Sequence, residues 1–543
     1  MSHALASLAL ALLASPPPPS APPPTPYALV NGRVFTGDPK APWAEALVTE
    51  GDRITAVGSS AAIAEVTPEG ATVIDLGGRL VIPGFNDAHV HVAVPLGPYL
   101  NAPDFVPGPG PSTPETLGIV GGGAAALPPG TWLFGFVGDA VTDVGDLDRF
   151  ALDEVAPDHP VALFAWSGHG TWLNSRALVT LGIGEDVADP PGGFWVRHGG
   201  VLTGEAHEYA EFQVRRALLA GLPDAALVAL YQGFGAQAVR WGVTSIQDIP
   251  VGLPHERALA ILAQADLPLR VRSICFPLTA DEPCAATPPH PRARVTGSGV
   301  KWITDGTPVE RLASVEDAYA DRPDHYGHSN FGDGLGTLLA ASLQRSAKTH
   351  QLLLHAVGDA AIEDILAALE GVAGPARWRH RRTRIEHGDL LFPHNFERAR
   401  ALGVVVVQNP THFALAGLFA QRFEPAVFAQ LSPMTSLLAN HIPLALGSDA
   451  IGQPGNPFVD LMFAVIHPTR PTEGLTLAQA LSAYTAGSAY AEHAEHNKGV
   501  IAPGRVADLA VLSQDLFTLP PVAWPATISV LTMVGGDIVW RLL

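Results

Sequence analysis

The chain is 543 residues long, 47% hydrophobic and 15% charged. At roughly 100–200 residues per domain, that length holds several domains or one large barrel with additions, and the apolar content excludes disorder as the overall state. Lys and Arg number 32 against 52 Asp and Glu, a net charge of −20, which repels a phosphate backbone and sets nucleic-acid binding aside.

Residues 4–14 form an apolar run of signal-peptide length, too short to span a bilayer and without Lys or Arg before it. Export and cytoplasmic retention both stay open. Eight of the eleven residues 16–26 are proline, an extended spacer; beyond it no membrane span is expected. From 27 to 83, short β-branched runs alternate with turn signals such as Asn31-Gly32, and 500–543 repeats the pattern with a hairpin at Gly535-Gly536. Both ends together are expected to make one composite β-sandwich.

Residues 84–499 alternate apolar runs with helix-period segments, the mark of a parallel α/β fold. The runs 80–91, 243–248, 269–276, 300–305, 352–355, 383–387, 404–408 and 444–449 give eight strands. Helices are expected at 224–241, 334–349, 359–370 and 395–402. Eight such units fit a (β/α)8 TIM barrel, whose chemistry sits at the C-terminal strand ends. About 95–223 follows the first strand, with strands of its own at 132–137 and 161–166; it reads as an inserted subdomain over the barrel mouth. Cys275 and Cys284 are too few for a disulfide framework or a four-thiolate zinc site and read as ordinary thiols.

The polar residues of the middle region fall at strand ends. His89 and His91, at i and i+2 on one strand, point to the same face. Two adjacent imidazoles there are satisfied either by hydrogen bonds or by a divalent cation. His355 and His387 end two later strands, 32 residues apart, and Asp449 ends a third. Such a mixture of N and O donors suits one or two divalent ions, zinc or a similar borderline metal. Lys301 sits on the apolar run Gly-Val-Lys-Trp-Ile. Burial beside positive charge favours its neutral amine, which can add carbon dioxide to become an anionic carbamate; an ion pair with Asp305 or Glu310 is the plainer alternative.

Several motifs now resemble one family, the amidohydrolase superfamily of metal-dependent hydrolases, in its family 3 branch with N-substituted formamide deformylase-like proteins. They are Val81-Ile-Pro-Gly-Phe-Asn-Asp-Ala-His-Val-His91, Val300-Lys-Trp-Ile-Thr-Asp-Gly306, Leu354-His-Ala-Val-Gly-Asp359, Arg384-Ile-Glu-His387, Leu446-Gly-Ser-Asp449 and Pro503-Gly-Arg-Val-Ala-Asp508. The resemblance implies metal ligands at His89, His91, Lys301, His355, His387 and Asp449. By analogy, His89, His91 and Asp449 hold one metal, His355 and His387 the other, and a carbamylated Lys301 lies between. It further implies a small-molecule substrate hydrolysed at a C–N bond, of an amide, an N-acyl or N-formyl compound or a cyclic amide. Water activated by metal attacks, and Asp449 carries the proton. Trp302 and Thr304 depart from the pattern expected around the lysine.

In the insertion, His169, Trp172, Asn174 and Glu208 are candidates for substrate contact. A homo-oligomer is compatible with the sequence. Two other readings stay in view: a serine-type amide hydrolase built on Ser298-x-x-Lys301, and a barrel kept as a non-catalytic binding protein.

Overall fold

The computed structural model describes residues 26–101, 110–287, 293–347 and 349–543. The apolar run at 4–14 and all but the last residue of the proline-rich spacer lie outside the described residues.

A curled parallel sheet carries the strand ends of interest. Its members are β1 (Phe85–His91), β2 (Val243–Asp248), β3 (Arg270–Cys275), β4 (Val295–Ile303), β5 (Leu352–Ala356), β6 (Arg384–His387), β7 (Val405–Gln408) and β8 (Leu444–Leu446). Each lies parallel to the next in chain order. After β8, the two-residue strand Ala450–Ile451 pairs in parallel with β1, Ala450 opposite Val90 and Ile451 opposite His91. The sheet is covered by helices, so its strands are buried along nearly their whole length and read as apolar runs. The helix Asp359–Val372 shows how the outer layer is chosen: it buries Ala361, Ile362, Ile365, Leu366 and Leu369, spaced three and four apart on one face.

Three expectations need correction. The run 80–91 is two strands: Leu80–Pro83 pairs with Arg33–Phe35 and Leu509–Leu512 in another sheet, and β1 starts at Phe85. Gly84 makes the transition because a Cβ there would fall 2.2 Å from the Thr244 side chain. The helix expected over 334–349 stops at Ser342. Arg381 draws off the following carbonyls, donating to Ser342 O at 3.0 Å, Leu343 O at 3.1 Å and Arg345 O at 2.6 Å. The cysteines are not free thiols: Cys275, at the end of β3, is disulfide-bonded to Cys284, their Cα atoms 5.6 Å apart. The chain doubles back after β3, a reversal that sequence separation does not reveal.

The chain ends make two further sheets. A six-stranded one mixes both ends, in the order Asp537–Arg541, Ser529–Val534, Leu509–Leu512, Leu80–Pro83, Arg33–Phe35, Trp43–Ala44. A four-stranded one, in the order Arg53–Gly58, Ala46–Glu50, Tyr27–Val30, Thr72–Asp75, comes from the N-terminal segment alone. One apolar cluster takes Leu29, Leu47 and Ile74 from the smaller sheet and Val81, Leu509 and Leu531 from the larger. Between β1 and β2, the inserted segment builds a five-stranded sheet in the order Gly193–His198, Val201–Glu208, Gly170–Leu173, Val161–Ala165, Leu133–Val137.

Candidate metal centre

The end of β1 places His89 and His91 side by side, their Nε2 atoms 3.2 Å apart. Each ring has committed its other nitrogen. His89 Nδ1 lies 2.7 Å from Glu386 Oε2, and His91 Nδ1 lies 2.9 Å from the carbonyl of Ile249. A carboxylate and a carbonyl can only accept, so both Nδ1 atoms carry the hydrogen and both Nε2 atoms are left facing inward. Asp449 Oδ1 completes the group, 3.5 Å from His89 Nε2 and 3.2 Å from His91 Nε2. Three acceptors so arranged repel one another unless a cation stands among them.

Backbone strain at two of these residues serves the same convergence. His387 has φ 70° and Asp449 φ 55°, left-handed values that cost non-glycine residues about 1–3 kcal/mol. Along β6, Arg384 and Glu386 share one face and Ile385 turns to the apolar layer; the turn at His387 brings that ring inward as well. Gln408 Nε2 donates to His387 O at 2.6 Å and holds the turn. Asp449 is held through its neighbour. Asp87 accepts from Ser448 N at 2.9 Å and from Ser448 Oγ at 2.6 Å, while Asp449 N donates to His89 O at 2.8 Å. Gly447 is required because a Cβ there would lie 2.6 Å from His89 N.

The remaining expected ligands gather at the same place. His387 and His355 have ring centroids 4.5 Å apart, and His387 lies 5.1 Å from His89. His387 Nδ1 is buried without a hydrogen-bond partner among the described residues, 4.0 Å from Asp449 Oδ2. His89, His387 and Asp449 each offer a ligand atom within 4.8 Å of the others. Lys301 is 1% exposed, its Nζ 3.5 Å from His89 Nε2. Neither plainer partner holds it: Asp305 accepts from the backbone N–H groups of Ser314, Val357 and Gly358, and Glu310 accepts from Ser167 and Thr307. Ser298 Oγ accepts from Arg272 Nε at 2.9 Å rather than pairing with Lys301, which leaves the serine-type reading without its dyad.

The charge states follow from these surroundings. Burial, then the charge of Lys301, lowers His89 to about 4, and burial lowers Lys301 to about 8. Burial would raise Glu386, but the two-pronged Arg384 guanidinium, at 2.7 and 2.8 Å, and His89 hold it well below the usual carboxylate range. Asp449 is likewise held low against burial, by His89, His412, His91 and His387. Neutral imidazoles, a readily deprotonated amine and an ionised carboxylate are the donor set a divalent cation requires, and the orphaned His387 nitrogen fits it too.

The cleft above this group is lined on the insertion side by Ser167, Gly168, His169, Phe212 and Arg215. The four insertion candidates separate here. His169 lines the cleft, its ring 4.8 Å from that of His355. Glu208 stands behind it, fully buried, its oxygens 2.9 and 3.1 Å from His169 Nδ1, with Asn330 Nδ2 donating at 3.1 Å. Burial disfavours the charged ring, but Glu208 overrides it and raises His169 to about 9. Trp172 and Asn174 are not at the cleft. Trp172 is 2% exposed in the insertion's apolar core with Leu133, Leu152 and Val161. Asn174 caps the helix Ser175–Leu181, accepting from Ala177 N at 2.9 Å, and donates to His159 O at 2.8 Å.

Sequence reasoning missed three participants. Glu386 orients His89, although it stands beside His387 in the same motif. His412, in the loop after β7, brings Nε2 to 3.3 Å from Asp449 Oδ2; its position past a strand end was the available signal. Arg215, inside a helix of the insertion, carried none.

The chain resembles known proteins over most of its length. The chain is 27% identical to Protein LONG AFTER FAR-RED 3 of Arabidopsis thaliana, over 89% of this chain and 86% of that one. It is 26% identical to the N-substituted formamide deformylase of Arthrobacter pascens, over 90% and 93%. An uncharacterized metal-dependent hydrolase from Pyrococcus horikoshii shares the fold, with a TM-score of 0.67, 20% identity, and coverage of 92% of this chain and 100% of that one. The profile of the amidohydrolase family matches residues 72–540, most of the chain, and the protein therefore belongs to that family.

Proposed function

We propose that the protein is a metal-dependent hydrolase that cleaves a C–N bond in a small molecule: an amide, an N-acyl or N-formyl compound, or a cyclic amide. The observation that carries this reading is the meeting of the His89 and His91 Nε2 atoms with Asp449 Oδ1, an arrangement that asks for a cation. Family membership and the deformylase relative support the bond type.

His89, His91, His355, His387 and Asp449, with Lys301 as a carbamate, would hold one or two divalent ions, zinc suiting the mixed N and O donors. Bound there, the metal would polarise the carbonyl and lower the pKa of water. Asp449 has one oxygen toward His89 and His91 and the other toward His412. It accepts a proton from the attacking water and returns it to the leaving nitrogen, an acid–base role worth roughly 10²–10⁴-fold in rate. Glu386 fixes the His89 tautomer, and His169, carrying its proton against Glu208, faces the substrate. In the same reading the curled sheet is a (β/α)8 barrel spanning 84–499, and 27–83 with 500–543 form a β-sandwich; the shared apolar cluster of the two terminal sheets supports the latter.

Metal analysis tests the proposal. One or two divalent ions per chain, with hydrolysis of amides lost to a chelator and restored by added metal, is the expected result. An active preparation free of metal would overturn it.

A further inference from the structure

Beyond the metal centre, most of the cleft wall is apolar: Phe212, Val251, Phe276, Ile303 and Ile451. Besides Ser167 and His169, the polar exception is Arg215. Its residue is 6% exposed, yet it lines the cleft. Guanidinium is charged at any ordinary pH and offers five N–H donors. Arg215 uses few of them. Nε donates to Glu211, and Nη2 makes one long contact of 3.4 Å to Gly168 O. Nη1 has no hydrogen-bond partner among the described residues, and it is not sealed away in the protein interior. Phe164 supports the group from beneath, its ring centroid 5.4 Å from the guanidinium carbon.

The open donors lie close to the reacting end of the cleft. A Cβ placed on Gly168 would touch both Arg215 Nη2, at 3.6 Å, and Ile451, at 3.5 Å; Ile451 is two residues beyond Asp449. With Glu211 on the Nε side, the other edge of the guanidinium presents the fork that matches a carboxylate. Glu211, fully buried, offsets the charge without occupying that edge.

We infer that Arg215 reads a carboxylate on the substrate, so that the site takes amides bearing an acidic group next to the scissile bond and an apolar side chain against Phe212 and Phe276. This rests on the C–N hydrolase reading and narrows it to the class of N-acyl amino acids. Two probes isolate the carboxylate: N-acetylphenylalanine and N-acetylphenethylamine, which differ by that group alone. Binding of both to the metal-loaded protein is measured by calorimetry, and turnover of both is measured in parallel.

The wild type is expected to bind the acid roughly tenfold to a hundredfold more tightly than its uncharged partner. In R215M combined with E211Q, which strands no buried charge, that preference disappears. In R215K, which keeps the charge but loses the fork, it shrinks. Equal binding of the two probes by the wild type overturns the inference, as does a preference that survives in R215K and in the double variant. Turnover separates the two claims. A wild type that prefers the acid but hydrolyses neither probe upholds Arg215 and counts against the hydrolase reading.

Discussion

Two histidines on opposite walls of the cleft have the same kind of partner and opposite charge states. His89, on β1, and His169, in the insertion, each set Nδ1 against a buried glutamate, at 2.7 and 2.9 Å. Yet His89 is lowered to about 4, by burial and Lys301, while His169 rises to about 9 because Glu208 overcomes burial. The difference lies in the charges around each dyad. Glu386 raises His89 as Glu208 raises His169, but Lys301 works against Glu386, while Glu310 and Glu211 add to Glu208. The same dyad therefore supplies a lone pair on one wall and a proton on the other.

The comparison can be broken most severely at Asp449, which belongs to the wall of lone pairs. Asp449→Asn should lower turnover roughly 10²–10⁴-fold while the melting transition stays in place; a near-normal rate would remove it as the proton carrier. On the insertion side, Trp172→Ala should act on folding instead, costing about 3–5 kcal/mol by denaturant titration because a large side chain leaves a packed core. Glu386→Gln sharpens the contrast directly. It should weaken metal binding roughly 10–100-fold in competition with a chelator, while Glu208→Gln, made on the other dyad, leaves metal affinity where it was.

The smallest effect is a pH dependence away from both walls. His493 has a buried Nε2 with no partner among the described residues, and burial, Arg382 and Arg272 lower it to about 4. The unfolded chain takes up that proton near pH 6.5 and the folded one only near 4, so stability falls as pH drops through this window. The loss should be on the order of 1 kcal/mol, and His493→Gln should remove it from the pH profile of unfolding.

How much of this was legible in the sequence differs between the walls in the same way. The candidate ligands on β1 and at the ends of β5 and β6 could be brought together from the sequence because alternation along buried strands fixes where a residue points. Even there, the inward turn of His387 depends on a positive φ that no periodicity announces. In the insertion, the polar residues of one short stretch, His169 to Asn174, divide between a cleft and a helix cap. What separates them is tertiary packing rather than spacing. No spacing marks Arg215, and the Cys275–Cys284 bond depends on a reversal of the chain after β3.

The passage of the chain through Gly84 couples its two ends to the histidine pair of β1. Leu80–Pro83 is sewn to Leu509–Leu512, and five residues beyond Gly84 stands His89. Clipping the C-terminal strands would unpair the edge from which β1 departs and loosen the very backbone that aims the histidine pair. The C-terminal strands, remote from the cleft, thus act as the anchor plate of the candidate site, and tags or fusions that tug on that tail would be felt at the histidine pair.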